Sequence, residues 1–215
     1  MVPAPAQPGA SVAPASAQPV FYYDLGSPGC YLVAERIMSE LSPAPEWEPV
    51  LGAAIGLRPA AWPDLDTLRA RVARQGLQPL RWPARWPPDT GPAMLAATYA
   101  KRVGRAVAFS LAAFRQAFAG GRDLGDESTV LIAAAACEMH PAALLKAIGM
   151  RSVGEALRVA GDRALAAGVS SLPALEVDGR VLEGEGCLEA AVQAVRAAQA
   201  AQAAQAAQAA QAERP

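Results

Sequence analysis

The chain has 215 residues, of which 19 are basic, 20 are acidic and 53% are hydrophobic, so its net charge is −1. This length predicts one domain, or one domain with an insertion, and the apolar content is enough for a sizeable core. The absence of clustered basic residues argues against a nucleic-acid partner. No segment approaches the roughly 20 apolar residues of a membrane span, so no membrane partner is expected.

The cysteine and histidine content limits the chemistry further. The three cysteines, at positions 30, 137 and 187, have no C-x-x-C spacing, and their odd number argues against a disulfide framework. His140 is the single histidine, which excludes a multi-histidine metal site, so no metal is expected. The N-terminus has neither the positive segment nor the apolar segment of a secretory signal. We therefore expect a cytoplasmic protein.

Both ends of the chain have a biased composition. Residues 1–18 are rich in Ala, Pro, Ser and Gln and are predicted to be disordered. From about Arg196 the triplet Ala-Ala-Gln repeats to residue 212. Because both residue types favour helix, this low-complexity tail (196–215) is predicted to extend the last helix and to fray toward Pro215. The folded domain is expected over residues 19–195.

Within that domain, strand-like segments lie near both ends and helical segments fill the middle. The pattern predicts strands over 19–25 and 46–51, with a helix from Pro28 to Leu41 between them. An amphipathic helix from Trp62 to Gln75 follows, and a connector rich in Pro and Trp then covers residues 80–88. The other predicted helices cover residues 92–103, 105–119, 127–138, 141–148 and 152–167.

The C-terminal part of the domain reads as a hairpin and a helix. Strands are predicted over 174–177 and 180–182, joined by Asp178-Gly179, a preferred two-residue turn. The last helix is predicted to start near Cys187 or Leu188. The order is therefore β-α-β, a helical block, and β-β-α, which predicts an α/β, thioredoxin-like fold with an all-helical insertion (about 62–167) between its two halves.

Ser27-Pro28-Gly29-Cys30, directly after the first strand, is the most informative segment. In thioredoxin-like oxidoreductases a C-P-x-C at this point places its first cysteine at a helix N-terminus, where the macrodipole favours a thiolate. Ser27 occupies that position here, and a hydroxyl cannot form a disulfide but can donate a hydrogen bond to the thiolate of another molecule. Cys30 is interpreted as a small buried residue, with a thiol role as the alternative.

Leu172-Pro173, which opens the predicted third strand, is the second signature. In the thioredoxin fold a proline at this place is cis, and its loop faces the start of the active-site helix. The backbone of the preceding residue, here Leu172, is then available to pair with an extended thiol compound. The combination with Ser27 and with the order of elements favours this interpretation over an ordinary proline at a strand start.

With F-Y-Y-D-x-x-S-P at 21–28, residues 19–195 resemble the DsbA-like family, and in particular its branch of 2-hydroxychromene-2-carboxylate isomerases and kappa-class glutathione transferases. The resemblance implies that Ser27 is catalytic and holds the sulfur of bound glutathione as a thiolate, while Leu172 and Pro173 complete the cofactor site. It also implies a small-molecule substrate, which for the isomerase is aromatic, and a homodimer.

The sequence departs from this branch in two places. Gly186 stands where the branch usually has an aspartate that holds the glutamyl end of glutathione. After the second strand only Arg58 is available where the branch commonly has a lysine and an asparagine. The cofactor is therefore expected to be glutathione or another low-molecular-weight thiol.

Three functions remain open on the sequence alone. An isomerase or transferase that uses a bound thiol is favoured because Ser27 replaces the nucleophilic cysteine. A thiol-disulfide oxidoreductase would have to act through Cys30 alone. A non-catalytic binding module is the third alternative, because the family's residues for glutathione are missing.

Several side chains near the site have two interpretations. Trp82 and Trp86 either line an aromatic substrate pocket or, as favoured, attach the connector to the core. Cys137 is interpreted as core packing. Cys187 lies at a helix start, where a thiolate would be favoured, but a thiol role there is the less favoured alternative. The remaining predictions are that Glu183 and Glu185 are solvated and that Asp89 and Thr90 lie over the site.

Overall fold

The computed structural model describes residues 18–57 and 64–212. Of residues 1–18, which are predicted to be disordered, 1–17 lie outside the described residues, and the Gln18 side chain donates to the Ala44 carbonyl at 2.9 Å. Arg58, the predicted helix start at Trp62 and the predicted fraying at Pro215 also lie outside the described residues.

Four short strands of the described chain form one mixed sheet in the order β2-β1-β3-β4. Strand β1 (Val20–Tyr23) pairs in parallel with β2 (Glu46–Pro49) and antiparallel with β3 (Ala174–Val177). Strand β4 (Arg180–Glu183) pairs antiparallel with β3. Asp178 and Gly179 both have positive φ, 49° and 75°, as a tight Asp-Gly hairpin turn requires. The predicted hairpin is thus present.

The helices follow the predicted order. Helix α1 connects the two parallel strands, and a short 3-10 helix, Gly52–Ile55, follows β2. Within residues 64–212, six α-helices precede β3 and α8 follows β4. The bounds of the α-helices are α1 Pro28–Glu40, α2 Leu65–Arg74, α3 Gly91–Arg102, α4 Ala106–Phe118, α5 Glu127–Ala135, α6 Pro141–Ile148, α7 Arg151–Ala167 and α8 Cys187–Ala212.

The core joins the sheet to the helical insertion. Aromatic side chains of β1 and β2 pack together, with the rings of Phe21 and Trp47 5.1 Å apart and those of Tyr23 and Trp47 5.5 Å apart. Tyr23 also packs against Phe114 of α4, and its hydroxyl lies 2.7 Å from the Ser110 hydroxyl. Burial of these aromatic rings is a main source of stability and fixes α4 against the end of β1. The predicted α/β, thioredoxin-like fold with a helical insertion is confirmed.

Helix α8 continues through the Ala-Ala-Gln repeat to Ala212. Its first part is buried, with Leu188 and Ala191 in the core. From Gln199 to Gln211 every residue is exposed. The repeat therefore continues the helix beyond the folded domain, as predicted.

Candidate active site at the start of helix α1

Ser27 is the N-cap residue of α1. Its backbone is extended, and its hydroxyl oxygen accepts a hydrogen bond from the Cys30 N–H at 3.2 Å. Pro28, whose fixed φ suits the first helical position, follows directly. Because the oxygen accepts this backbone bond, the hydroxyl proton can be donated to another group. The half-exposed Ser27 thus places a donor and the positive end of a 13-residue helix at one point.

The loop before β3 lies against this helix start. The Leu172-Pro173 peptide bond is cis, as the sequence predicts. A Cβ atom added to Gly29 would lie 3.0 Å from Pro173 Cδ and 3.7 Å from Ser27 Oγ. Glycine at the third position of the motif therefore allows the proline ring to approach the first turn of α1 closely.

Leu172 is half-buried and lies in the wall of the same cavity as Ser27. Among the described residues, no hydrogen bond is made by its backbone N–H or C=O. The next carbonyl, that of Pro173, accepts from the Gly184 N–H at 3.0 Å. The structure thus leaves the Leu172 backbone available to an extended ligand, in the manner of an added strand.

Glu183, predicted to be solvated, instead holds the proline loop, so that prediction is wrong. Its carboxylate accepts hydrogen bonds from the N–H of Ser170, from the Ser170 hydroxyl at 2.7 Å and from the N–H of Ser171 at 2.8 Å. Partial burial would raise the pKa of Glu183, but these hydrogen bonds outweigh burial and hold the pKa below its usual range. The sequence did not indicate Glu183 as a site residue, because its partners precede β3 and lie 12 and 13 residues away in the chain.

Asp24 fixes the turn between β1 and Ser27. Its two carboxylate oxygens accept from the N–H groups of Gly26 at 2.8 Å and Gly52 at 2.9 Å. Burial raises the pKa of the Asp24 carboxyl, although these two N–H groups and the Thr90 side chain oppose the rise. Thr90 is buried and contacts Asp24, and neither Asp89 nor Thr90 lines the cavity at Ser27, so the prediction that they lie over the site is wrong.

A cavity of about 400 Å³ opens above Ser27. Its size suits a small organic molecule. Most of its wall is apolar, and polar groups are contributed by the start of α1, by one face of α2 and by the loops before β3 and after β4. The side chains in its wall include those of Ser27, Leu57, Leu68, Arg71, Trp86, Leu172, Pro173 and Glu185.

Of the two tryptophans in the connector, one lines the cavity and the other attaches the connector to the core. Trp86 lies in the cavity wall. The ring of Trp82 lies 4.4 Å from that of Trp86 and 6.2 Å from that of Phe118, and the neighbouring Arg81 N–H donates to the Phe118 carbonyl at 2.8 Å. Trp82 therefore attaches the connector to α4, and this attachment positions Trp86 at the cavity.

The three cysteines are buried. Cys30 is 0% exposed, and burial raises the pKa of its thiol to about 12, although the Ser27 side chain and the Asp24 backbone oppose this rise. Cys187 is 1% exposed, and burial raises its pKa to about 12 as well, so the helix start does not make it a thiolate. Cys137 packs in the core, as predicted.

The sequence matches the DSBA-like thioredoxin domain family over residues 20–196. The chain belongs to this family. A comparison with curated protein sequences finds no relative.

Solved structures share the fold at low sequence identity. The structure of a 2-hydroxychromene-2-carboxylate isomerase superposes with a TM-score of 0.73 at 16% identity and covers 89% of this chain and 98% of its own. A structure described as a probable DsbA oxidoreductase from Streptomyces coelicolor has a TM-score of 0.65 at 19% identity, covering 85% and 90%. The DsbA of Pseudomonas aeruginosa has a TM-score of 0.56 at 14% identity, covering 89% and 93%. At these identities the likeness establishes the fold alone.

The described residues offer neither a metal cluster nor a membrane span. Residues 18–57 and 64–212 contain no group of three or more His, Cys, Asp or Glu side chains arranged to hold a metal ion. No helix in the described part of the chain is long and apolar enough to cross a membrane.

Proposed function

We propose that this DsbA-like protein binds a low-molecular-weight thiol at the start of α1 and uses it for isomerase or transferase chemistry. The observation that carries the proposal is the half-exposed Ser27 hydroxyl, which caps a helix at the floor of the cavity while Cys30 beneath it is fully buried. Glutathione is the first candidate because of the branch that the motif at 21–28 resembles.

The proposed role of Ser27 is to hold the ligand's sulfur as a thiolate. The hydroxyl donates a hydrogen bond to the sulfur, and the N-terminal end of α1 adds a positive electrostatic contribution. The Leu172 backbone pairs with the thiol compound's own backbone-like groups on the opposite side. Each interaction favours the anionic sulfur, so a bound thiol would ionise at a lower pH than in water.

The bound thiolate would act on a conjugated small molecule. Addition of the sulfur to the conjugated double bond moves an electron pair onto the acceptor group and leaves a single bond that can rotate. Return of the electron pair restores the double bond and expels the thiolate, so the cycle has no net redox change. Trp86 supplies an aromatic surface in the cavity wall for a flat substrate.

A thiol-disulfide oxidoreductase is less compatible with this site. Such an enzyme needs an accessible thiolate, whereas Cys30 is fully buried and its thiol pKa is raised to about 12. Ser27 cannot supply the second sulfur of an internal disulfide.

Calorimetric titration with glutathione tests the proposal. We expect Ser27→Ala to weaken binding about tenfold or more, as loss of a charge-assisted hydrogen bond predicts. Ser27→Gly also removes the hydroxyl donor but destabilises the helix cap by only a few tenths of a kcal/mol. Weak binding by this variant would therefore reflect the missing donor and not unfolding. The matched control is Ser39→Ala, because the exposed Ser39 hydroxyl donates only to the Arg36 carbonyl on the same helix.

A separate pH titration of the same complexes, followed by ultraviolet absorption, gives a second readout. The thiolate absorbs ultraviolet light more strongly than the thiol, so a pH titration of the bound ligand gives its pKa. We expect a pKa below that of free glutathione in the wild type and an ordinary pKa in Ser27→Ala. Absence of binding by glutathione, and by smaller thiols such as 2-mercaptoethanol, would contradict the proposal and leave the binding module as the better account.

A further inference from the structure

Arg71 places one positive charge in the wall of the cavity. It lies in the last turn of α2, and its side chain is only 12% exposed. Together with Leu68 it lines the cavity from one face of that helix, since residues three apart share a face. The wall also contains the carboxylates of Asp24, which accepts from two backbone N–H groups, and Asp64, which caps α2. A guanidinium in an otherwise mostly apolar wall is a strong binding group for carboxylates because its planar array of donors matches two carboxylate oxygens.

Glu185 covers this guanidinium. Its Oε1 lies 2.5 Å from Arg71 Nη1, and its backbone carbonyl accepts from Nη2 at 3.4 Å. Nη1 is inaccessible to solvent and makes no hydrogen bond of good geometry, so the close approach is an ion pair without good alignment. The Arg71 side chain is therefore electrostatically paired but its donors are incompletely used.

The two partners differ in how easily they can move. The Glu185 side chain is 71% exposed, against 12% for Arg71. Glu185 also lies between Gly184, whose φ is +76°, and Gly186, and a Cβ at either glycine would meet nothing within 4 Å. Rotation of Glu185 into solvent thus removes little buried contact, whereas Arg71 stays in the wall.

We propose that Arg71 is the anion-binding subsite of this cavity and that Glu185 is its displaceable internal counter-ion. The site then selects a ligand that carries a carboxylate on an apolar body, with the carboxylate on Arg71 and the body against Leu57, Leu68 and Trp86. Glu185 competes with this carboxylate and turns away when the ligand binds. The inference deepens the proposed function, because it assigns a chemical class to what occupies the site.

Either occupant of the site can supply the carboxylate. If the thiol supplies it, Arg71 holds the carboxylate of the thiol compound while Ser27 holds its sulfur. If the second substrate supplies it, Arg71 orients that substrate relative to the sulfur at Ser27. Two pairs of probes distinguish these sources: 3-mercaptopropionate with 3-mercapto-1-propanol, and 3-phenylpropionate with 3-phenylpropanol.

The test is calorimetric titration of the full chain with all four probes. In at least one pair we expect the wild type to bind the carboxylate about tenfold more tightly than its alcohol, as for a partly desolvated charged hydrogen bond. Arg71→Gln should remove this preference, and Arg71→Lys should restore only part of it. Arg74→Gln, an exposed change in the same helix turn that does not line the cavity, is the matched control and should leave the preference intact.

Glu185→Gln is the more stringent test, because the proposal predicts that this variant binds the carboxylate more tightly than the wild type does. Removal of the competing carboxylate should strengthen binding of the carboxylate probe about threefold or more and leave its alcohol unchanged. Glu155→Gln removes an exposed carboxylate that pairs with Arg158 on α7 and does not line the cavity, so it is the control and should have little effect. Melting temperatures verify that each variant is folded.

The outcomes separate this inference from the proposed function. A carboxylate preference that depends on Arg71 in the phenyl pair, without binding of either thiol, would support the subsite and contradict the thiol cofactor. Thiol binding that depends on Ser27 but not on Arg71 in either pair would overturn the subsite alone. Failure of all four probes to bind, or equal affinity for acid and alcohol in both pairs, would also overturn it.

Discussion

The starts of helices α1 and α8 offer the same backbone electrostatics but different access. Both helices lie in the thioredoxin-like part of the fold and begin beside the cavity loops. At α1 the capping Ser27 is half-exposed and lines the cavity, whereas at α8 the first residue, Cys187, is 1% exposed. The pKa of Cys187 rises to about 12 despite its place at a helix start. Desolvation of the buried sulfur, together with the charge of Glu189, therefore outweighs the backbone N–H groups at the helix start, which lower this pKa.

The largest expected effect concerns the three native cysteines. In the folded protein we expect negligible reaction with an aromatic disulfide reagent, because all three thiols are buried. Unfolding in denaturant should accelerate the reaction about 1000-fold or more, since exposed cysteines recover an ordinary pKa near 8.5. A rapid reaction of one thiol in the native state would show that this sulfur is accessible and would contradict the contrast between Ser27 and the buried cysteines.

Ser27→Cys tests whether the start of α1 can activate a sulfur. In a Cys30→Ala background, which prevents an internal disulfide, we expect the new thiol to react about 100-fold faster than any wild-type cysteine at pH 7, with a pKa lowered to roughly 7 or below. Ser39→Cys is the control for exposure alone, because residue 39 is exposed near the other end of α1. Its rate should fall as the pH drops below about 8.5, while that of Ser27→Cys should persist to lower pH. Identical pH profiles would show that access, without the helix, accounts for the reactivity.

Glu183→Gln tests how firmly the proline loop is held opposite Ser27. We expect a loss of about 1–2 kcal/mol in the free energy of unfolding, since the carboxylate serves three donors of Ser170 and Ser171. Because the folded-state pKa of Glu183 lies below its ordinary value of 4.5, its stabilisation is present above that pH and is lost as the pH falls through the folded-state pKa. Denaturant titrations of both proteins at several pH values should therefore converge in acid. A constant difference would contradict the assigned role.

Gly29→Ala should have the smallest effect on stability, and it tests how closely α1 packs against the loop before β3. The same change at Gly154, inside α7, meets nothing within 4 Å and should stabilise the protein by about 0.5–1 kcal/mol. At Gly29 the new methyl group would lie 3.0 Å from Pro173 Cδ, so the gain should be cancelled or reversed by about 1 kcal/mol. Thermal unfolding of the two variants measures the difference. Equal stabilisation by the two substitutions would mean that the loop with Pro173 moves away from the new methyl group at little cost.

The sequence predicted those parts of the fold and site that depend on local patterns. Helix periodicity and the Asp178-Gly179 turn predicted the order of elements, and Ser27 and Pro173 followed from short motifs. The bounds were less accurate: β1 ends at Tyr23 and β2 at Pro49, because Asp24 immediately accepts from Gly26 in a turn and the 3-10 helix begins at Gly52. The ends of these strands depend on side-chain contacts, and the alternation of apolar and polar residues does not indicate such contacts.

The residues that were missed act across long separations in the chain. Arg71 and Glu185 are 114 residues apart, and nothing in the helix pattern of α2 indicates that its last turn faces the loop after β4. Glu183 was expected in solvent because a charged residue at a hairpin end is usually solvated. Its partners become visible only when the loop before β3 is folded back beside it.

The repeat at the end of α8 has a geometric consequence for the length of this protein. Each Ala-Ala-Gln triplet advances the helix by about 4.5 Å and turns it by about 300°, so successive glutamines shift by about 60° around the axis. The glutamines of the projecting segment, Gln199–Gln211, are therefore spread around most of the helix and are not gathered on one face. Insertion or deletion of whole triplets would thus change the reach of the helix without changing any buried contact, and variants of different repeat number should have the same unfolding free energy.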